Sequence, residues 1–137
     1  MRFMMFIYPK IEGQAGPAAT EAWLPSAEAL ATMGKYNDEL AKAGVLLSLD
    51  GLHSPAEAVR VQFPSGKAPV VKDGPFTEAK EMIGGYWLID VKSQDEAIEW
   101  AKRCPLGEGA AELELRQVFE LSEFPPELLA AAANSEK

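Results

Sequence analysis

From Arg2 to Tyr8 the chain is apolar on both sides of an extended backbone, with Phe3, Met5 and Ile7 alternating against Met4, Phe6 and Tyr8. A run of this kind predicts a central strand covered on both faces. Residues 12–25 are rich in Ala, Gly and Pro and predict a loop. Ser26 then occupies an N-cap position, Leu30, Met33, Asn37 and Leu40 recur at helical spacing, and Gly44 supplies the stop, so residues 26–43 predict a helix. A strand is expected over residues 45–49, followed by a loop holding Asp50-Gly51 and His53-Ser54-Pro55. Residues 58–63 and 68–72 flank Pro64-Ser65-Gly66-Lys67 as the arms of a hairpin. Residues 83–91 read as another strand, and Ser93-Gln94-Asp95-Glu96 is a capping-box pattern opening a helix that ends near Arg103, before Pro105. Leu113 and Leu115 alternate against Glu112, Glu114 and Arg116 in a last strand over residues 111–119.

The order strand, helix, strand, hairpin, strand, helix, strand predicts an α+β fold. With the hairpin set aside it is the ferredoxin-like split βαβ arrangement, an antiparallel sheet with both helices on one face. One domain is expected over residues 1–124, with a C-terminal short helix and polar tail over 125–137. If the helices cover one face, the apolar residues of the other still need cover, notably those of Arg2–Tyr8 and 83–91. A second copy of the chain is the simplest cover, so a homodimer through the sheet face is expected, a dimeric α/β sandwich or barrel.

Composition narrows the function classes. The chain has 137 residues, 47% hydrophobic and 25% charged, with a formal net charge of −8. That size suits one self-sufficient core. Its acidity disfavours a nucleic-acid partner, because phosphate backbones would be repelled. No apolar run approaches the ~18 residues of a membrane span. The single cysteine, Cys104, excludes an intrachain disulfide and a CxxC redox pair. Placed before Pro105 at a helix end, it reads as a packing thiol, and the count fits a cytoplasmic protein.

The densest chemistry lies in Asp73-Gly74-Pro75-Phe76-Thr77-Glu78-Ala79-Lys80-Glu81, where four charged side chains surround a rigid turn. Asp73 either caps backbone N–H groups of that turn or serves as a general base or hydroxyl anchor. His53, the only histidine, is the only side chain titrating near neutrality without a large shift. It reads either as a surface imidazole or, paired with Asp73, as half of an acid–base dyad. Glu78, Lys80 and Glu81 form a solvated connector or a charged pocket rim. Arg60 and Arg116 are strand arginines, able to clamp a carboxylate or to pair with Glu112 or Glu114. Gly84-Gly85 admits close approach of a backbone or ligand. Tyr86 and Trp87 point to opposite faces, so that one could line a pocket while the other packs, and the expected wall is Phe76 with one of the two, Trp87 being taken as the candidate. No P-loop, GxGxxG or GxSxG motif is present, so no organic cofactor is implied, and one His with one Cys makes a zinc site unexpected.

The same stretch closely resembles the signature of DGPF-domain proteins, a branch of the YCII-related family. The resemblance takes in Met1-Arg2-Phe3-Met4, Met33 to Leu40, Ala43 to Leu47, Gly51-Leu52-His53, Val59-Arg60-Val61, Asp73 to Glu81, Glu96 to Ala101, and Glu114 to Val118. It implies the ferredoxin-like fold and, through the neighbourhood typical of such proteins, a link to extracytoplasmic-function sigma factors. The wider family is associated with a His/Asp pair whose His lies on the first helix. Here residues 26–43 contain no His, so that role does not transfer, and His53 stands on its own reading. The residues together point to cofactor-free proton transfer on a small polar or aromatic metabolite, by elimination, isomerisation or hydrolysis. The alternative is a non-catalytic ligand-binding or regulatory module.

Overall fold

The structure is a computed structural model that describes residues 1–8, 25–74, 83–106 and 112–135. Its strands are β1 (Arg2–Tyr8), β2 (Leu46–Gly51), β3 (Val59–Gln62), β4 (Val70–Asp73), β5 (Gly85–Asp90) and β6 (Glu112–Gln117). Its helices are α1 (Ala27–Lys42), α2 (Gln94–Lys102) and α3 (Pro126–Ser135). Four strands form one sheet in the order β2-β5-β1-β6, antiparallel at every pairing. This is the split βαβ order the periodicities predict, with β1 and β5 central. Strands β3 and β4 stand apart as a separate two-stranded sheet.

The sheet buries one face. Phe3 and Met5 of β1, Trp87 and Ile89 of β5, Tyr36 and Leu40 of α1 and Ala97 of α2 form a single core, with Leu113 and Leu115 of β6 packed against it. Helices α1 and α2 therefore lie on the side to which odd-numbered residues of β1 and β5 point. The other face presents Met4, Phe6, Tyr86 and Leu88, all partly exposed.

Local chemistry fixes the helix ends. Ser26 Oγ accepts from Ala29 N–H at 3.1 Å, and Gly44 leaves α1 with φ 75°, a conformation that suits glycine. At α2, Ser93 Oγ accepts from Glu96 N–H at 3.1 Å. The reciprocal bond of the box falls one residue early, on Lys92 N–H at 2.8 Å from Glu96 Oε2. Tyr36 crosses between the helices to donate to the Trp100 carbonyl at 2.7 Å, and Arg103 both stacks on the Trp100 ring and pairs with Glu39 at 2.6 Å. Cys104 packs against this core, and burial pushes its thiol up to about 12, which leaves it un-ionised and unreactive near neutrality. No helix among the described residues is long and apolar enough to cross a membrane.

Candidate functional site

The loop after β2 builds the site. Ser54 is 3% exposed, and its hydroxyl accepts from Ala56 N–H at 3.1 Å, so Ser54-Pro55 starts a short 3-10 turn, Pro55–Glu57. Proline at the first turn position loses nothing, because its missing N–H would be unsatisfied there. The turn carries the chain through one revolution, so His53 and Glu57 face each other. His53 Nδ1 lies 3.2 Å from Glu57 Oε2. An ionised carboxylate only accepts, so a hydrogen bond here requires the hydrogen on Nδ1, and in a neutral ring Nε2 would then present the lone pair. The imidazole stands at a mouth rather than in a wall, its side chain being 91% exposed.

Beneath it lies a cavity of about 200 Å³, lined by Leu52, His53, Ser54, Pro55, Glu57, Ala58 and Ile83. Most of that lining is apolar, and the ionisable groups sit together at one edge. The volume is below the ~300–1,000 Å³ of a drug-sized pocket and suits a single ring or a short chain.

Asp73-Gly74 is docked against the same turn. Gly74 N–H donates to the Ala58 carbonyl at 2.8 Å, and Asp73 sits opposite Val59 in the β3–β4 register. A Cβ on Gly74 would lie 2.6 Å from the Pro55 carbonyl oxygen, 3.1 Å from that of Ala58 and 3.3 Å from that of Ala56. Three backbone oxygens leave room for hydrogen only. The glycine after Asp73 is thus what lets the end of β4 press onto the turn holding His53 and Glu57. The Gly84-Gly85 pair works similarly. Leu52 N–H donates to the Gly84 carbonyl at 2.9 Å, and a Cβ on Gly85 would meet the Asp50 carbonyl oxygen at 2.9 Å. The close neighbour there is the β2 backbone.

The other expected site residues separate. Asp73 is exposed at the end of β4, and no hydrogen bond joins it to His53 among the described residues. Arg60 lies opposite Lys72 on the exposed hairpin. Trp87 is in the helix-side core, donating from Nε1 to Asn37 Oδ1 at 2.7 Å and meeting Tyr36 edge-on. Its neighbour Tyr86 occupies the open face and donates to Asp50 Oδ2 at 2.7 Å. That hydrogen bond first, then partial desolvation, holds the Tyr86 hydroxyl above the ordinary tyrosine range. Arg116 approaches Glu114 of its own strand at 3.9 Å, a loose pair along β6 rather than across strands. Phe76, Glu78, Lys80 and Glu81 lie outside the described residues. Among those described, no group of three His, Cys, Asp or Glu side chains is arranged to hold a metal ion.

Glu57 is the residue of this candidate site that residue type alone does not single out. The signal was present in His53-Ser54-Pro55-Ala56-Glu57. A Ser-Pro turn start brings the residue before the serine and the one four further on to the same side.

The chain matches the domain model of the YCII-related domain over residues 1–122. It is 30% identical over 87 residues to an uncharacterised protein of Rhizobium meliloti (strain 1021), a stretch that is 62% of this chain and 69% of that protein. In structure it is similar to 5-chloro-2-hydroxyhydroquinone dehydrochlorinase from Burkholderia phenoliruptrix AC1100, solved in complex with 2,5-dihydroxybenzoquinone. The TM-score is 0.46 and the identity 14%, over 89% of this chain and 97% of that one. A likeness of that degree says nothing about chemistry.

Proposed function

The chain belongs to the YCII-related family, and from that premise we propose that it is an acid–base enzyme acting without an organic cofactor on a small polar or aromatic metabolite. The observation that carries this reading is the single histidine, held by Glu57 at the mouth of a largely apolar cavity. In this reading His53 Nε2 takes a proton from the substrate, or in hydrolysis from the water that attacks it, and Glu57 steadies the imidazolium through Nδ1–H. The imidazolium then returns the proton to a neighbouring carbon in isomerisation, or to the departing group in elimination or hydrolysis. Leu52, Pro55 and Ile83 hold the apolar part of the substrate. Asp73, fixed beside the turn through Gly74, anchors a hydroxyl or shares the base role.

We propose further that two chains pair through the open sheet face. Met4, Phe6 and Leu88 support this, because they form an apolar stripe opposite the core.

The test uses His53 as its own probe. Its ring signals are unambiguous by NMR, being the only ones, and are followed while a panel of single-ring phenols and short hydroxy acids is added. The compounds that bind are then incubated in deuterated buffer. Enzymatic proton transfer appears as deuterium incorporation with wild type that is lost in His53→Ala and reduced in Glu57→Gln and Asp73→Asn. Binding without incorporation would instead identify a ligand-binding module. A histidine that responds to nothing in the panel would remove the cavity from consideration.

A further inference from the structure

The cavity beside His53 holds a polar group that the proton transfer proposed above leaves without a task. Ser54 is one of its lining residues, yet only 3% exposed. Among the described residues no other serine, threonine, amide or charged side chain is buried so deeply. A hydroxyl can both accept and donate. Acceptance is used here, since Oγ takes the Ala56 N–H at 3.1 Å and so starts the Pro55–Glu57 turn. Donation is not, for among the described residues no acceptor takes the Ser54 hydrogen. Buried donors are ordinarily paired, because no water is there to replace the bond. Capping alone does not call for this burial. Ser26 and Ser93 make the same cap bond at 3.1 Å and are both exposed.

The cap and a ligand contact do not compete for the same part of the hydroxyl. The bond from Ala56 occupies one lone pair and fixes Oγ, while the hydrogen still turns about Cβ–Oγ towards an acceptor in the cavity. The surroundings select the chemistry of that acceptor. Leu52, Pro55, Ala58 and Ile83 make apolar walls, and the charged side chain at the edge is the Glu57 carboxylate, in a chain of net charge −8. A carboxylate or phosphate ligand would be repelled there and would lose its hydration among apolar groups. A neutral oxygen that only accepts, a carbonyl, meets the donor without either cost.

We propose that Ser54 is a substrate-binding residue, its hydroxyl donating to the carbonyl oxygen of a small neutral ketone or aldehyde. This rests on the reading of His53 as the base, and it names the substrate class. His53 stands at the exposed mouth and Ser54, next in the chain, is buried. A carbonyl compound that enters oxygen first therefore leaves the carbon beside the carbonyl towards the imidazole. The C–H bond at that carbon breaks and its proton goes to Nε2. Its electron pair becomes the C=C bond of an enolate, and the carbonyl π pair moves onto oxygen, where the bond from Ser54 strengthens as charge develops. Return of the proton from Nε2 closes the cycle without another reactant.

The experiment is an NMR titration with cyclohexanone and with methylenecyclohexane, the same ring carrying =CH2 in place of =O. Binding is followed at the His53 ring signals in wild type, Ser54→Ala and Ser54→Thr, with far-UV circular dichroism to confirm folding. Comparing the two ligands cancels what a variant does to the turn itself. The expected result is that Ser54→Ala lowers the affinity for the ketone relative to the alkene by about fivefold, the worth of one neutral hydrogen bond. Ser54→Thr, which keeps a hydroxyl, should restore the ratio. A ratio that Ser54→Ala leaves unchanged, whether both affinities fall or neither does, reduces Ser54 to a cap and overturns the donor, while the cavity stands. Failure of both ligands to bind wild type overturns the donor and the cavity together. The ratio is an equilibrium quantity that needs no turnover, so it stands or falls apart from the base role of His53. If Ser54→Ala does not fold, the carbonyl infrared band of cyclohexanone bound to the unaltered protein decides. It must lie at lower wavenumber than in cyclohexane, and an unshifted band overturns the donor.

Discussion

At the scale of single residues, two glycines of this chain should respond to alanine with opposite signs. Gly74 is enclosed by carbonyl oxygens of Pro55, Ala56 and Ala58, which belong to backbone and do not swing aside. Gly74→Ala should therefore cost about 1–3 kcal/mol, as overpacking does, and should shift the NMR signals of His53. Gly34 lies inside α1 with nothing within 4 Å of an added Cβ. Gly34→Ala should stabilise by about 0.5–1 kcal/mol through helix propensity. Thermal denaturation of the two variants checks both signs, and a neutral Gly74→Ala would mean that the close docking of β4 on the turn is not there. The Tyr86–Asp50 bond gives a second prediction. A hydroxyl whose ionisation is raised in the folded state contributes stability that is complete below the ordinary tyrosine range and is lost as pH rises through the folded value. Asp50→Asn removes the charged acceptor, so Tyr86 should ionise at lower pH, seen by ultraviolet titration against Tyr86→Phe. An unchanged titration would show that the bond does not persist in solution.

At the scale of elements, the caps should act independently. Ser26→Ala and Ser93→Ala each remove one N-cap acceptor, each should cost about 1 kcal/mol, and the double variant should show the sum, because the two caps lie on different helices without a shared partner. Urea denaturation measures all three, and a double variant well off the sum would reveal coupling between the helices through Glu39 and Arg103. The elements were legible in the sequence because their signals are local. Ser26 and Gly44 bracket a helical period, and Leu113 and Leu115 alternate with charge. The site was legible only by residue type. His53 and Asp73 stand out by type, yet the partner of His53 depends on a three-residue turn whose only trace is Ser54-Pro55, so residue type does not single out Glu57. Tyr86 and Trp87 show a different limit. Alternation puts them on opposite faces, but β5 is apolar on both, so the pattern does not say which face the helices cover. Connectivity decides that, and it sends Trp87 under α1 to Asn37 and leaves Tyr86 on the open side.

At the scale of the whole molecule, exposed apolar surface gathers in the segments that the core does not hold. The hairpin is one. The chain after β6 is another, where Phe119 stacks on Phe124 with ring centres 5.1 Å apart, and where Phe119 and Leu121 are exposed, as is Leu128 at the start of α3. A helix as short as α3, ten residues, has little stability of its own in water, where even good helix formers need about 12–15 residues. A clasp ties this segment to the sheet. Arg2 holds Glu120 through two hydrogen bonds of 2.7 and 3.1 Å, and that interaction depresses the Glu120 carboxyl below its ordinary range. A single exposed ion pair contributes little, and the pairing of two chains proposed above would add cover for these segments. Folding linked to association has a signature that no property of one chain can imitate, which is stability that depends on protein concentration. If two copies shield each other's apolar surface, raising the concentration a hundredfold should add about 2.7 kcal/mol, several degrees in Tm. A wild-type Tm that does not move with concentration would place the stability entirely within the single chain, and the exposed valines of the hairpin would then need another explanation.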